Sequence, residues 1–238
     1  MKFISTLTAL ALAGTGALAQ GIEASRVTGE YDFRDLGEDL SISFATATAD
    51  VSYLLGRQYG LQVGIAGSTQ LSASQDDLDV DTAYGLAVHG FYDISPDIRA
   101  GLMLATESRG ETEQIAALEG VFTNGLIRAE GRVGTYLSDT ISASMFELHG
   151  AYAVTRDIAA RGSYQRINYD DDAGAYAVLS VGGSYSFADN IMVYGSVGRM
   201  TDDLGGGTMD DAFEVSAGLE LSLTGPRRET LFTYSPFF

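Results

Sequence analysis

The residues best placed to do chemistry in this sequence alternate. Arg128, Glu130 and Arg132 occupy every second position of an otherwise small or apolar run from Ile127 to Val133. In an extended chain alternate side chains point the same way, so two guanidiniums and a carboxylate share one face. Glu147 and His149 repeat that spacing further on, and Glu119, Arg99 and Arg161 stand on similar runs. Three readings suit the set. Opposed guanidiniums and carboxylates across a water-filled passage would hold a transverse field that orients and sorts hydrophilic solutes. Fully paired, the same groups would instead fill a narrow interior and conduct nothing. His149, beside Glu147 and across a strand pair from Ser163, also formally supplies a base, an orienting acid and a nucleophile. No nucleophile-elbow sequence accompanies them. Asp77, Asp79 and Asp81 have the alternating acids of a calcium loop, but Thr82 replaces its glycine and Val88 its terminal glutamate, leaving loose divalent binding as the only metal reading. His89 reads as a wall residue, and no cofactor motif is present.

These side chains need strands to position them. From Tyr84 to Ile94, one face carries Tyr84, Leu86, Val88, Gly90, Tyr92 and Ile94, the other Gly85, Ala87, His89, Phe91 and Asp93. Segments of this length and period suit a transmembrane β-strand. They recur at 24–33, 42–55, 59–71, 82–94, 97–107, 114–123, 126–137, 140–154, 157–169, 175–187, 191–201 and 211–223. The pattern predicts an all-β, antiparallel up-and-down barrel of about twelve strands, or ten if a hairpin is overread. Segment 24–33 alternates most weakly. Short turns at Arg57-Gln58, Ser95-Pro96, Asn124-Gly125, Arg156 and Ala188-Asp189-Asn190 separate longer, acidic connections, and Asn-Gly between alternating runs is a strong hairpin signal. Tyr53, Tyr59, Tyr92, Phe122, Tyr185 and Phe187 fall near strand ends, where an interfacial aromatic girdle would sit.

Composition narrows the classes further. The 238 residues carry a formal net charge of -18 and no cysteine, which excludes disulfides and zinc-cysteine sites. The acidic balance also argues against nucleic acid as a partner. Lys2 is the only lysine, and it lies in residues 1–19, a cation followed by a short apolar run and Ala17-Leu18-Ala19, which read as a cleaved signal peptide. More than half of the 32 acids fall in the long connections. They would form an acidic vestibule that favours cations.

The faces of the barrel follow from the cost of a charge in lipid. A midplane arginine facing hydrocarbon costs about 2–4 kcal/mol, so Arg128, Glu130 and Arg132 turn inward. A two-residue Asn124-Gly125 turn would set Glu119 opposite Glu130. An equally tight Ser138-Asp139 turn would set Glu130 opposite Glu147 and Arg128 opposite His149. The predicted pore lining is therefore Arg99, Glu119, Arg128, Glu130, Arg132, Glu147, His149 and Arg161, with room left by small inward residues such as Gly60, Gly64, Ala66, Ser68, Ser180, Gly182 and Ser184.

Ser216 to Leu223 matches the polar-x-Gly-x-x-hydrophobic-x-hydrophobic signal of a last barrel strand, although Ser180 to Phe187 matches it too, and the chain ends in Phe238. With the leader and the alternating hairpins, the chain resembles the small porin-like outer-membrane β-barrel proteins of Gram-negative bacteria. The resemblance implies a barrel over 20–223 in the outer membrane, with short turns and both termini periplasmic and residues 224–238 a periplasmic tail or a segment at the rim. It implies contact with outer-membrane lipids and lipopolysaccharide, insertion by the barrel assembly machinery, and a monomer or homotrimer. The expected function is a passive, weakly cation-preferring pore for ions and small hydrophilic solutes. The alternatives are a non-conducting structural or surface-binding barrel and, more remotely, a lipid-processing enzyme.

Overall fold

Alternating side chains leave a strand with one wet face and one apolar face, and closing the sheet on itself satisfies every edge while separating the two. The computed structural model describes residues 22–37, 40–74, 82–109, 111–137, 142–170, 174–202, 212–223 and 232–233. All twelve elements are strands: β1 (Ile22–Gly37), β2 (Leu40–Leu54), β3 (Tyr59–Ala73), β4 (Ala83–Ser95), β5 (Ile98–Arg109), β6 (Glu111–Thr123), β7 (Ile127–Tyr136), β8 (Ala143–Ala153), β9 (Ile158–Tyr169), β10 (Gly174–Ala188), β11 (Ile191–Asp202) and β12 (Ala212–Ser222). Each pairs antiparallel with its sequence neighbours, and β1 meets β12 from Arg26↔Ser222 to Asp35↔Phe213 to close the barrel. The segment that alternates most weakly in sequence forms the longest strand, 16 residues, paired with β2 from Ile22 to Gly37 and with β12 from Arg26 to Asp35. Even β7, with 10 residues, rises roughly 33 Å along its axis, enough to cross about 25 Å of hydrocarbon at a tilt near 40°.

The outer surface is the apolar one. Leu102, Leu104, Leu118 and Val181 are each 60–64 % exposed, an arrangement that suits acyl chains and would be an aggregation patch in water. Tyr53, Tyr59, Tyr92, Phe122, Tyr185 and Phe187 are exposed near the short-turn ends of their strands, the level of an interfacial girdle.

One turn departs from expectation. The loop between β6 and β7 is Gly125-Leu126, with Gly125 at φ +82°, closed by the Asn124 N–H donating to the Ile127 carbonyl at 3.0 Å. The Asn124 side-chain oxygen accepts from the Leu126 and Ile127 N–H groups at 3.3 and 2.9 Å, which leaves the glycine as the residue that takes positive φ. Cross-strand partners therefore shift by two. Glu119 faces Arg132 rather than Glu130, and on the other side Glu130 faces His149 and Arg132 faces Glu147. A shift of two, unlike a shift of one, keeps every side chain on its face.

Residues 1–19, Asp77, Asp79, Asp81 and most of the acidic connections lie outside the described residues. So do 224–231 and 234–238 of the expected tail. The tail's two described residues, Phe232 and Thr233, are inside the barrel.

Candidate functional site: the lumen

The inward faces divide the lumen by chemistry. On β3 to β9, towards the long connections, Ala66, Ala87, Met103, Ala105, Ile115, Ala117, Met145 and Ile167 form an apolar layer. Below it, towards the short turns, lies a charged layer, while Glu107, Glu113 and the Arg34–Glu214 pair stand nearer the long connections. Arg132 binds Glu119 through Nε at 2.7 Å and Glu147 through Nη1 at 2.8 Å. The second oxygen of Glu119 meets His89 Nδ1 at 2.6 Å. Arg128 donates to Glu130 at 2.7 Å, and Arg26 makes two bonds to Asp50, at 3.1 and 2.7 Å. One layer nearer the short turns, Arg99 bridges Asp93 and Glu23 and lies 3.7 Å over the Phe91 ring.

Into this charged layer come Phe232 and Thr233. The Phe232 ring stacks on His89, centroids 5.5 Å apart and planes within 11°, and is fully buried with Phe91 and Val121. Gly101 makes the space, since a Cβ there would lie 2.8 Å from the ring. The wall of β3 to β6 is thus filled rather than open: Gly60, expected to leave room, backs onto the Phe91 ring instead.

A cavity of about 490 Å³ runs along the remaining wall, from Gly125 and Leu126 at the short-turn rim to Tyr169 and Tyr176 at the long-connection ends of β9 and β10. A second cavity at the β8–β9 and β10–β11 turns shares Ala153, Ala159, Ser184 and Glu220 with it at the short-turn end. The alternation of β9 to β12 supplies a hydroxyl wall, with Ser163 paired to Ser180 at 2.6 Å and Ser196 to Ser216 at 2.7 Å. Arg161 caps the Tyr194 ring at 4.7 Å, and the Tyr194 hydroxyl donates to Glu30 at 2.5 Å.

Of the residues predicted to line a pore, Arg128, Arg132, Glu147, His149 and Arg161 border the cavity. Glu119 and Glu130 lie buried in the charged layer, beside His89 and Thr233, and Arg99 is buried near the short turns. His149 sits 3.9 Å from Glu147, and the hydroxyl of Ser163, the residue paired opposite it, is hydrogen-bonded to that of Ser180. Sequence reasoning missed the β12–β1 side of the cavity: Arg26, Glu30, Asp32, Arg34, Glu214 and Glu220. The signal was present as the complement of Val27, Gly29, Tyr31 and Phe33, but the joining of first and last strands leaves no local trace.

This barrel is similar to solved outer-membrane channels. It superposes on the NanC porin with a TM-score of 0.61 at 9 % identity, covering 83 % of this chain and 100 % of that one. The fold is that of the outer-membrane porins. The KdgM porin gives 0.60 at 11 % identity, over 83 % of this chain and 99 % of that one. An outer-membrane channel from Pseudomonas putida F1 gives 0.62 at 12 %, over 85 % and 96 %. No protein-family model and no curated protein matches the chain. At such identities the likeness to these porins is one of fold, and the cavity and charged layer are properties of this sequence.

Proposed function

We propose that this chain is an outer-membrane channel for passive diffusion of ions and small hydrophilic solutes, with a weak preference for cations. The observation that carries the reading is the polar cavity running between the two rims along β8 to β12 and β1. Its cation preference rests on charge. Arg26, Arg34, Arg128 and Arg132 are each matched by a carboxylate, and on the remaining cavity wall Glu30 and Glu220 outnumber Arg161. An excess of one sign along a low-dielectric wall raises the local concentration of the opposite ion. The acidic connections would add to this at the outer mouth.

In that setting the short turns and both termini face the periplasm, the outward Leu and Val side chains meet lipid and lipopolysaccharide, and the Ser216–Leu223 octet on β12 is the handle for the assembly machinery. A second reading, a barrel that does not conduct, is favoured by Phe232, which fills part of the lumen. The catalytic alternative has no such support: Ser163, paired opposite His149, has its hydroxyl hydrogen-bonded to Ser180.

Planar-bilayer recording of the purified protein decides between the first two. Stepwise currents are expected, with a reversal potential in a salt gradient that favours cations and moves towards zero in Glu30→Gln/Glu220→Gln. Silence at every voltage would sink the channel, and anion preference would remove the charge argument.

A further inference from the structure

Phe232 and Thr233 are held differently from a chain end that happens to lie in a hole. All four of their main-chain polar groups have lumen partners. The Phe232 N–H donates to Gln62 Oε1 at 3.0 Å, and its carbonyl accepts from Gln62 Nε2 at 2.8 Å and Arg26 Nη2 at 3.0 Å. The Thr233 N–H donates to Glu130 Oε1 at 2.6 Å, its hydroxyl to Glu130 Oε2 at 3.0 Å, and its carbonyl accepts from Arg132 Nη2. Gln62 presents its amide oxygen and nitrogen to one residue's N–H and C=O, as a neighbouring strand would.

The side chain is read as well. His89 supplies a flat face and Gly101 the absent Cβ against the opposite part of the ring. Gln62 and His89 are fully buried and Glu130 nearly so. Buried polar groups are costly without partners, so these side chains are arranged for something that brings N–H, C=O and an aromatic ring together. An extended peptide has that chemistry, and the site holds one.

We propose that the lumen wall of β1, β3, β4, β5 and β7 is a binding site for an extended peptide with an aromatic side chain, occupied by the chain's own Phe232-Thr233, and that occupancy meters the channel. The site reads main chain and ring. A peptide of suitable sequence supplied from outside competes for it once the resident segment is weakened. Metering follows from position: Phe232 closes the β3–β6 side of the lumen, while Thr233 borders the cavity that stays open. The metering half rests on the channel reading above; the binding half does not.

The test uses the full-length chain with Phe232→Ala, which keeps Phe238 for assembly, and a synthetic peptide of residues 229–238. In detergent, the fluorescently labelled peptide is expected to bind the variant barrel saturably. Adding Gln62→Leu should weaken that binding about tenfold, the effect of losing roughly one buried polar contact, and a peptide carrying the same Phe232→Ala change should not compete. Absent or non-saturable binding, or binding indifferent to Gln62, overturns the site. In the bilayer, Phe232→Ala should raise unitary conductance above that of the unaltered chain, and the peptide should lower it again. Equal conductance in the two proteins overturns metering. No current from either one removes the channel reading instead, and the detergent binding still decides the site.

Discussion

Arg132 is the hinge of the charged layer, and Arg132→Met isolates its contribution. Methionine keeps much of the stem and removes the charge and all five donors. The guanidinium is 2 % exposed and holds Glu119, 1 % exposed, and Glu147, 9 % exposed, at 2.7 and 2.8 Å. Each contact has a gross attraction of about 4 kcal/mol at 4 Å and an effective dielectric of 20, much of it cancelled by the desolvation of three ions. Removing one partner is another matter, because the desolvation remains without the attraction; for buried pairs that costs about 3–5 kcal/mol. His89 stays on Glu119, so the lower half of that range is expected for Arg132→Met. The triple variant Arg132→Met/Glu119→Gln/Glu147→Gln should recover most of the loss, since no buried charge is then uncompensated. The assay is equilibrium urea unfolding from lipid vesicles followed by tyrosine fluorescence, the chain having 13 tyrosines and no tryptophan. The free-energy change follows from the midpoint at constant slope. A single-variant loss below about 1 kcal/mol, or a triple variant no more stable than the single, would falsify the view that Arg132 neutralises both carboxylates in a largely buried layer at the cavity's edge.

The same titration checks two further expectations. A Cβ at Gly182 would lie 2.1 Å from the Gly195 carbonyl oxygen and 2.8 Å from Ser196, backbone that cannot step aside, whereas one at Gly183 meets the Ala159 oxygen at an ordinary 3.5 Å. Gly182→Ala should therefore cost about 1–3 kcal/mol and Gly183→Ala less than about 0.5; equal effects would show that β10 and β11 separate freely at this point. Arg99→Lys keeps the charge but loses the fork that grips Asp93 and Glu23 and the plane that covers Phe91. A loss of about 1–2 kcal/mol is expected, and a neutral substitution would mean that charge alone holds this layer.

How much of this is legible in the sequence differs from residue to residue. Arg128, Glu130 and Arg132 can be turned inward from their spacing alone, because the cost of an arginine in hydrocarbon decides between two faces and a register error of two leaves the decision intact. Their partners cannot. Tight Asn124-Gly125 and Ser138-Asp139 turns imply a row of like charges, Glu119, Glu130 and Glu147; moving the first turn by one residue and pairing β7 with β8 through a longer connection places Arg132 between two of the three. Electrostatics favours the observed register, but nothing within either strand states where the loop closes.

The sequence by itself determined the inward and outward faces and the apolar outer surface and narrowed the strand number to ten or twelve, because each is set by period-two alternation and by what lipid tolerates locally. Tertiary structure alone decided that Arg26 lies against Asp50 in a lumen closed by β1 and β12, that the β3–β6 side of the lumen is filled, and that Phe232 packs there. Those facts depend on side chains from β1, β3, β4, β5 and β7 converging on one point. Convergence across a closed sheet has no period along the chain.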